Sequence, residues 1–158
     1  MMKIKIYFLI FGMLMLLSSC VTSEESKLIK GLWACDFSTI IYKGDYVGDK
    51  FVSNELIFDA DNSIRFPEIR AYGLIKTGTC DNIGEWELNE VNNEIVLDAV
   101  SGCDFYTDRF SVEFWRGKRT KRLYLKLTSE DLEFISYKDF PFDPRISVAL
   151  KDLPVKED

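Results

Sequence analysis

The chain has 158 residues, 47% of them apolar and 14% aromatic, with a formal charge of −6 and no histidine. That length fits one domain, and the apolar content excludes a disordered chain. The missing histidine removes the commonest general base and metal ligand and every Ser-His-Asp or Cys-His relay. The negative charge argues against a nucleic-acid partner, whose binding surfaces are basic.

At the amino terminus Lys3 and Lys5 precede Ile6–Leu17, a stretch without charge. It is shorter than the roughly 20 residues that span a bilayer as a helix and has the form of a signal-peptide core. It ends in Leu17-Ser18-Ser19-Cys20. An aliphatic residue, two small residues and a cysteine resemble the lipobox of bacterial lipoproteins. The resemblance implies cleavage before Cys20, with a diacylglycerol on its thiol and a fatty acid such as palmitate on its amine. Two or more acyl chains anchor a protein where one is marginal, so the membrane is the first expected partner. No aspartate follows Cys20, and Ser23-Glu24-Glu25 resembles the surface-export signal of Bacteroidota lipoproteins. The expected location is the outer membrane, with the cell surface preferred to the periplasmic face.

From Leu32 onward the apolar residues recur with period 2. Phe110, Val112 and Phe114 alternate with Arg109, Ser111 and Glu113, and Leu123, Leu125 and Leu127 alternate with Arg122, Tyr124 and Lys126. This is the pattern of antiparallel strands with one buried face. It predicts eight strands, near 32–42, 50–58, 63–75, 84–90, 94–99, 107–116, 122–128 and 132–138. Turn residues separate them at Asp59-Ala60-Asp61-Asn62, Glu90-Val91-Asn92-Asn93, Arg116–Thr120 and Thr128–Asp131. Pro67 breaks the third strand and suggests an edge or a bulge. No long segment has helical period, which excludes parallel βαβ units. The expected fold class is all-β, an antiparallel eight-stranded up-and-down β-barrel. Residues 1–19 read as a signal peptide, 20–30 as a lipidated tether with one helical turn before Gly31, 31–140 as the barrel, and 141–158 as an irregular tail.

Gly31-Leu32-Trp33 opens the first strand, Gly84-Glu85-Trp86 opens a later one, and Leu127-Thr128-Ser129-Glu130-Asp131-Leu132 comes late. As a set these resemble the lipocalin-like lipoproteins of Bacteroidota, over roughly Lys27 to Lys138. The resemblance implies a calycin-like barrel that holds a small apolar ligand. The lipocalin Thr-Asp-Tyr turn has only Thr107-Asp108-Arg109 as an echo. The family also places a late arginine over the first-strand tryptophan, for which Lys138 and Arg145 are the candidates.

With Cys20 lipidated, Cys35, Cys80 and Cys103 remain. Disulfides persist outside the cytoplasm. Cys80 and Cys103 both sit in loop-like sequence and are the expected pair, a bridge worth about 3 kcal/mol. A pairing with Cys35, or no bridge, stays open at this point. Without Cys-x-x-Cys spacing or histidine, no metal site is expected. The Asp59-Ala60-Asp61-Asn62 run has Ile64 and Arg70 where a calcium loop needs glycine and glutamate. No pair of carboxylates stands out for acid–base catalysis, so no enzyme and no cofactor is expected.

Arg116, Lys118, Arg119, Lys121 and Arg122 crowd one hairpin of an acidic chain. They read as a solvated tip that resists edge pairing, or as a contact for anionic head groups or an acidic partner. Trp33, Trp86, Phe110 and Phe114 face inward by alternation and are the candidate ligand-binding residues. Trp115 is out of phase and should face outward, either beneath the tail or as a contact surface. Two functions follow. One is a lipid-anchored barrel that binds a small apolar ligand. The alternative is a non-enzymatic adaptor that binds another envelope protein through its outer surface. An open apolar cavity separates them; the inward candidates include many large residues, and the alternative follows if they fill the interior.

Overall fold

The computed structural model describes residues 24–69, 82–99, 104–139 and 152–158. A short helix, α1 (Glu24–Ile29), leads into β1 (Gly31–Cys35). The other strands are β2 (Ile41–Tyr42), β3 (Asp45–Tyr46), β4 (Glu55–Phe58), β5 (Ser63–Arg65), β6 (Ile83–Asn89), β7 (Glu94–Ala99), β8 (Asp108–Gly117), β9 (Leu123–Thr128), β10 (Leu132–Lys138) and β11 (Val155–Lys156). Strands β1 and β4 through β10 pair antiparallel in the order β1-β4-β5-β6-β7-β8-β9-β10. The sheet closes where β10 pairs with β1 through Ala34↔Tyr137 and Cys35↔Ser136. The result is the expected closed, antiparallel, eight-stranded up-and-down barrel.

Closure explains the alternation. In a barrel the odd and even positions of each strand face lumen and solvent. Trp33, Leu56, Phe58, Ile64, Trp86, Ile95, Leu97, Phe110, Val112, Leu125, Leu127 and Phe134 therefore form one buried cluster. Burying each large apolar side chain contributes about 1.5–3 kcal/mol, so the cluster sets the register of every strand that supplies it.

The first expected strand, 32–42, is not continuous. The side chain of Asp36 accepts from the N–H of Ser38 at 3.0 Å and from its hydroxyl at 2.7 Å, and so caps a 3-10 turn over Phe37–Thr39. Such a local cap competes with a strand ladder. The chain then forms a small hairpin, β2–β3, turned by Lys43 (φ 52°) and Gly44 (φ 85°). Two successive left-handed residues make the hairpin turn that matches strand twist. The hairpin docks on β10 through Tyr42↔Leu132 and Ile41↔Glu133.

The second expected strand, 50–58, shortens to β4, and a 3-10 turn over Gly48–Lys50 stands at its expected start. The third, expected over 63–75, is regular only over β5. Beyond it Phe51 and Ile69 make one isolated bridge, and the rest of that expectation lies outside the described residues. The tail is not wholly irregular: β11 runs parallel to β8 in the register Val155↔Arg116 and Lys156↔Gly117. The expected turn of helix over 147–151 lies outside the described residues.

Candidate functional site

All four candidate ligand-binding residues face the lumen, where they pack on other rings. The Trp33 and Phe114 rings lie 6.2 Å apart and Phe110 meets Phe134 edge-on at 6.2 Å. Trp86 meets Phe58 edge-on at 5.5 Å. Exposure is 0% for Trp33 and Phe110, 4% for Trp86 and 8% for Phe114. The gap bounded by Cys35, Ile40, Tyr106 and Phe134 has no space wide enough for a water molecule. Among the described residues, then, these side chains are buried against neighbouring rings, and this gap in the lumen is closed.

Both ends of the described barrel are stoppered. At one end α1 presses the buried Leu28 and Ile29 against the core. Trp33 Nε1 donates to the Ile29 carbonyl at 2.6 Å. The Lys138 ammonium donates to the Leu28 carbonyl at 2.5 Å and the Lys30 carbonyl at 3.1 Å, and sits 4.1 Å over the Trp33 ring. A cation belongs there, because the last carbonyls of a helix lack partners and carry partial negative charge. Of the two candidates named from sequence, Lys138 covers the tryptophan; Arg145 lies outside the described residues. Burial lowers the Lys138 ammonium from 10.5 to about 8. The helix within the expected lipidated tether is thus joined to the barrel by a hydrogen bond, an ammonium and an indole face.

At the other end Tyr106 stacks on Phe66 at 4.2 Å and packs against Phe105 at 4.0 Å. Its hydroxyl donates to the Pro67 carbonyl at 3.0 Å. Burial pushes its phenol well above the ordinary 10.0. Sequence reasoning missed Tyr106 because it lies in a 3-10 turn, Asp104–Tyr106, where strand alternation says nothing about direction.

Cys35 is a free thiol, buried, with its sulfur 3.1 Å from the Ser136 hydroxyl. Burial pushes it up to about 12, so it is not a nucleophile at neutral pH. Its freedom removes the pairings through Cys35. The expected Cys80–Cys103 pair and the lipidated Cys20 lie outside the described residues. Among the described residues no three His, Cys, Asp or Glu side chains cluster to hold a metal ion.

The outer surface carries two features that bear on recognition. Trp115, Tyr124 and Tyr137 stand side by side across β8, β9 and β10 on the outer face. Trp115 stacks on Tyr124 at 5.2 Å, with Tyr137 6.1 Å from Tyr124 and the Arg122 guanidinium 4.4 Å over Tyr137. As expected, Trp115 points outward, yet it is only 7% exposed, because Lys156 of the tail lies 4.7 Å over its ring. The row continues into a surface groove of about 450 Å³ bounded by Lys30, Leu32, Ala34, Tyr137 and Asp139.

The second feature is the basic hairpin, which is not a bare solvated tip. Lys118 pairs with Glu157 at 2.5 Å, Arg119 with Glu157 at 3.7 Å, and Arg122 with Asp139 at 3.0 Å. The partner of Lys118 and Arg119 is this chain's own tail, and that of Arg122 is the residue just after β10. The signal was present in the sequence as Lys156-Glu157-Asp158, but a distant pairing of opposite charges has no period to reveal it. Compared with family models, curated proteins and solved structures, the chain matches none.

Proposed function

We propose that this protein is a lipocalin-like lipoprotein anchored in the outer membrane through Cys20. In this reading it is a non-enzymatic adaptor that binds another envelope protein through its outer surface. The observation that carries the reading is the lumen, where Trp33, Phe58, Phe110, Phe114 and Phe134 pack at 0–8% exposure. A small apolar ligand would have to displace these rings, and each displaced large side chain forfeits about 1.5–3 kcal/mol of burial. A drug-sized ligand ordinarily occupies a cavity of roughly 300–1,000 Å³. An adaptor needs no cavity. It needs a rigid frame and an outer face with aromatic and charged anchors, which the Trp115–Tyr124–Tyr137 row and its flanking cations would provide.

The test is native mass spectrometry of the full chain, expressed in a lipoprotein-processing host and released in mild detergent, with crosslinking in the native envelope. The expected result is a lipidated chain with no apolar adduct, crosslinked to an envelope protein. A stoichiometric apolar adduct that leaves on denaturation would replace the adaptor reading with a binding barrel. An unlipidated mass would remove the anchor. The same spectrum reads the expected Cys80–Cys103 bridge as the loss of two hydrogens.

A further inference from the structure

Strand β8 is ten residues long, but its pairing with β7 covers only Asp108↔Leu97 through Ser111↔Glu94. Two more hydrogen bonds, from Val112 N–H to the Asn93 carbonyl at 3.1 Å and from Asn93 Nδ2 to the Val112 carbonyl at 2.6 Å, end that side of the ladder. Beyond it β8 has an edge. An unpaired edge is a template for another strand, and here the tail takes it. Arg116 N–H donates to the Pro154 carbonyl and Lys118 N–H to the Lys156 carbonyl, both at 2.9 Å.

The hairpin that follows holds the tail's carboxylates. The Asp158 carboxylate accepts from the Arg119 N–H at 2.8 Å, the Thr120 N–H at 3.1 Å and the Tyr124 hydroxyl at 3.2 Å, and also from the Thr120 hydroxyl. These donors, the Thr120 hydroxyl foremost, hold its carboxyl well below the ordinary range. Glu157 takes Lys118. Gly117 leaves the space: a Cβ there would run into the Asp158 carboxylate and the Thr120 hydroxyl.

The site therefore reads an extended segment by its backbone and two consecutive acids by charge and by main-chain N–H groups. This is strand addition with a carboxylate cradle. The segment that fills it is held by solvent-exposed contacts, and exposed ion pairs are individually weak.

We infer that the β8 edge and the β8–β9 hairpin form a recognition site for an extended acidic segment of an envelope partner. In the chain alone, residues 154–158 occupy that site as a displaceable stand-in. The inference rests on the adaptor reading and names its surface. A tethered tail acts at an effective concentration on the order of 1 mM. Against a segment of similar sequence with a Kd of about 0.1 mM, it would weaken binding from outside about tenfold.

The experiment uses the full chain and a fluorescein-labelled peptide matching residues 152–158. Peptide anisotropy is titrated with the wild type and with the variant E157K/D158K, and acrylamide quenching of Trp115 is read in the same samples. In the variant Trp115 should become quenchable, and the peptide should bind about tenfold tighter than to wild type, more weakly as salt rises. Adding Lys118→Glu to that variant, or placing Gly117→Ala in the wild type, should abolish peptide binding. Equal binding to wild type and variant, binding to neither, or an unchanged Trp115 in the variant overturns the inference. If crosslinks to an envelope protein form while the opened variant ignores the peptide, this site fails and the adaptor reading survives. If the opened variant binds the peptide and the native envelope yields no crosslink, the adaptor reading fails instead.

Discussion

Truncating Phe110 to alanine should destabilise the barrel by about 4 kcal/mol and turn a filled lumen into a binding one. Phe110 is fully buried, pairs edge-on with Phe134, and lies opposite the equally buried Ile95 on β7. Removing a buried phenylalanine costs roughly 3–5 kcal/mol, as lost transfer energy plus the cavity left behind. The lost aromatic pair contributes about 0.5–1.5 kcal/mol of such an effect. For a domain of this size that is a fall in Tm of roughly 10–15 °C. The walls come from eight hydrogen-bonded strands, so they cannot collapse far, and an apolar hole of this kind stays dry and accepts small aromatics. Urea melts with and without indole give the readout. The variant should recover about 2.7 kcal/mol with indole at one hundred times its Kd, and wild type should recover nothing. A loss below about 1 kcal/mol would mean that the ring is not packed as described. Equal stabilisation of wild type by indole would mean that the native lumen is already open, and the filled-barrel reasoning would fall.

Two further expectations concern buried titratable groups. Lys138 has its ordinary value of 10.5 in the unfolded chain and about 8 in the barrel, so between those values the unfolded chain holds the extra proton. The penalty for burying the charge is present below pH 8 and is relieved as pH rises to 10.5. The stability of wild type relative to Lys138→Met should therefore climb across that window by up to about 3 kcal/mol in urea melts; a flat difference would refute the assignment. Cys35, raised from 9.0 to about 12, should react with iodoacetamide at pH 8 about a thousandfold more slowly in the native chain than in urea. Mapping the label to the Cys35 peptide checks this, and equal rates would contradict its burial.

Lys138 shows how tertiary structure completes a partial sequence signal. The lipocalin resemblance made it, with Arg145, a candidate to cover Trp33. What selects it is that β10 closes on β1 and brings its ammonium under the open carbonyls of α1. Trp115 shows the same limit from the other side. Its outward direction followed from being out of phase with Phe114, while its cover, Lys156, lies 41 positions further along the chain in a separate strand.

Period-2 alternation and turn chemistry by themselves predicted antiparallel strands, the inward face of each, and closely where five of them run. These are local properties, because each strand's inward face is written in its own neighbouring residues. Tertiary structure decided what depends on distant partners: whether inward rings leave a cavity, which strand closes the sheet, and where the first long strand yields to Asp36 and to the Lys43–Gly44 turn. It also decided that the basic hairpin meets its acidic match in Glu157 and Asp158. Packing volume and charge pairing are set by side chains far apart in sequence, and no pattern along the chain records which of them meet.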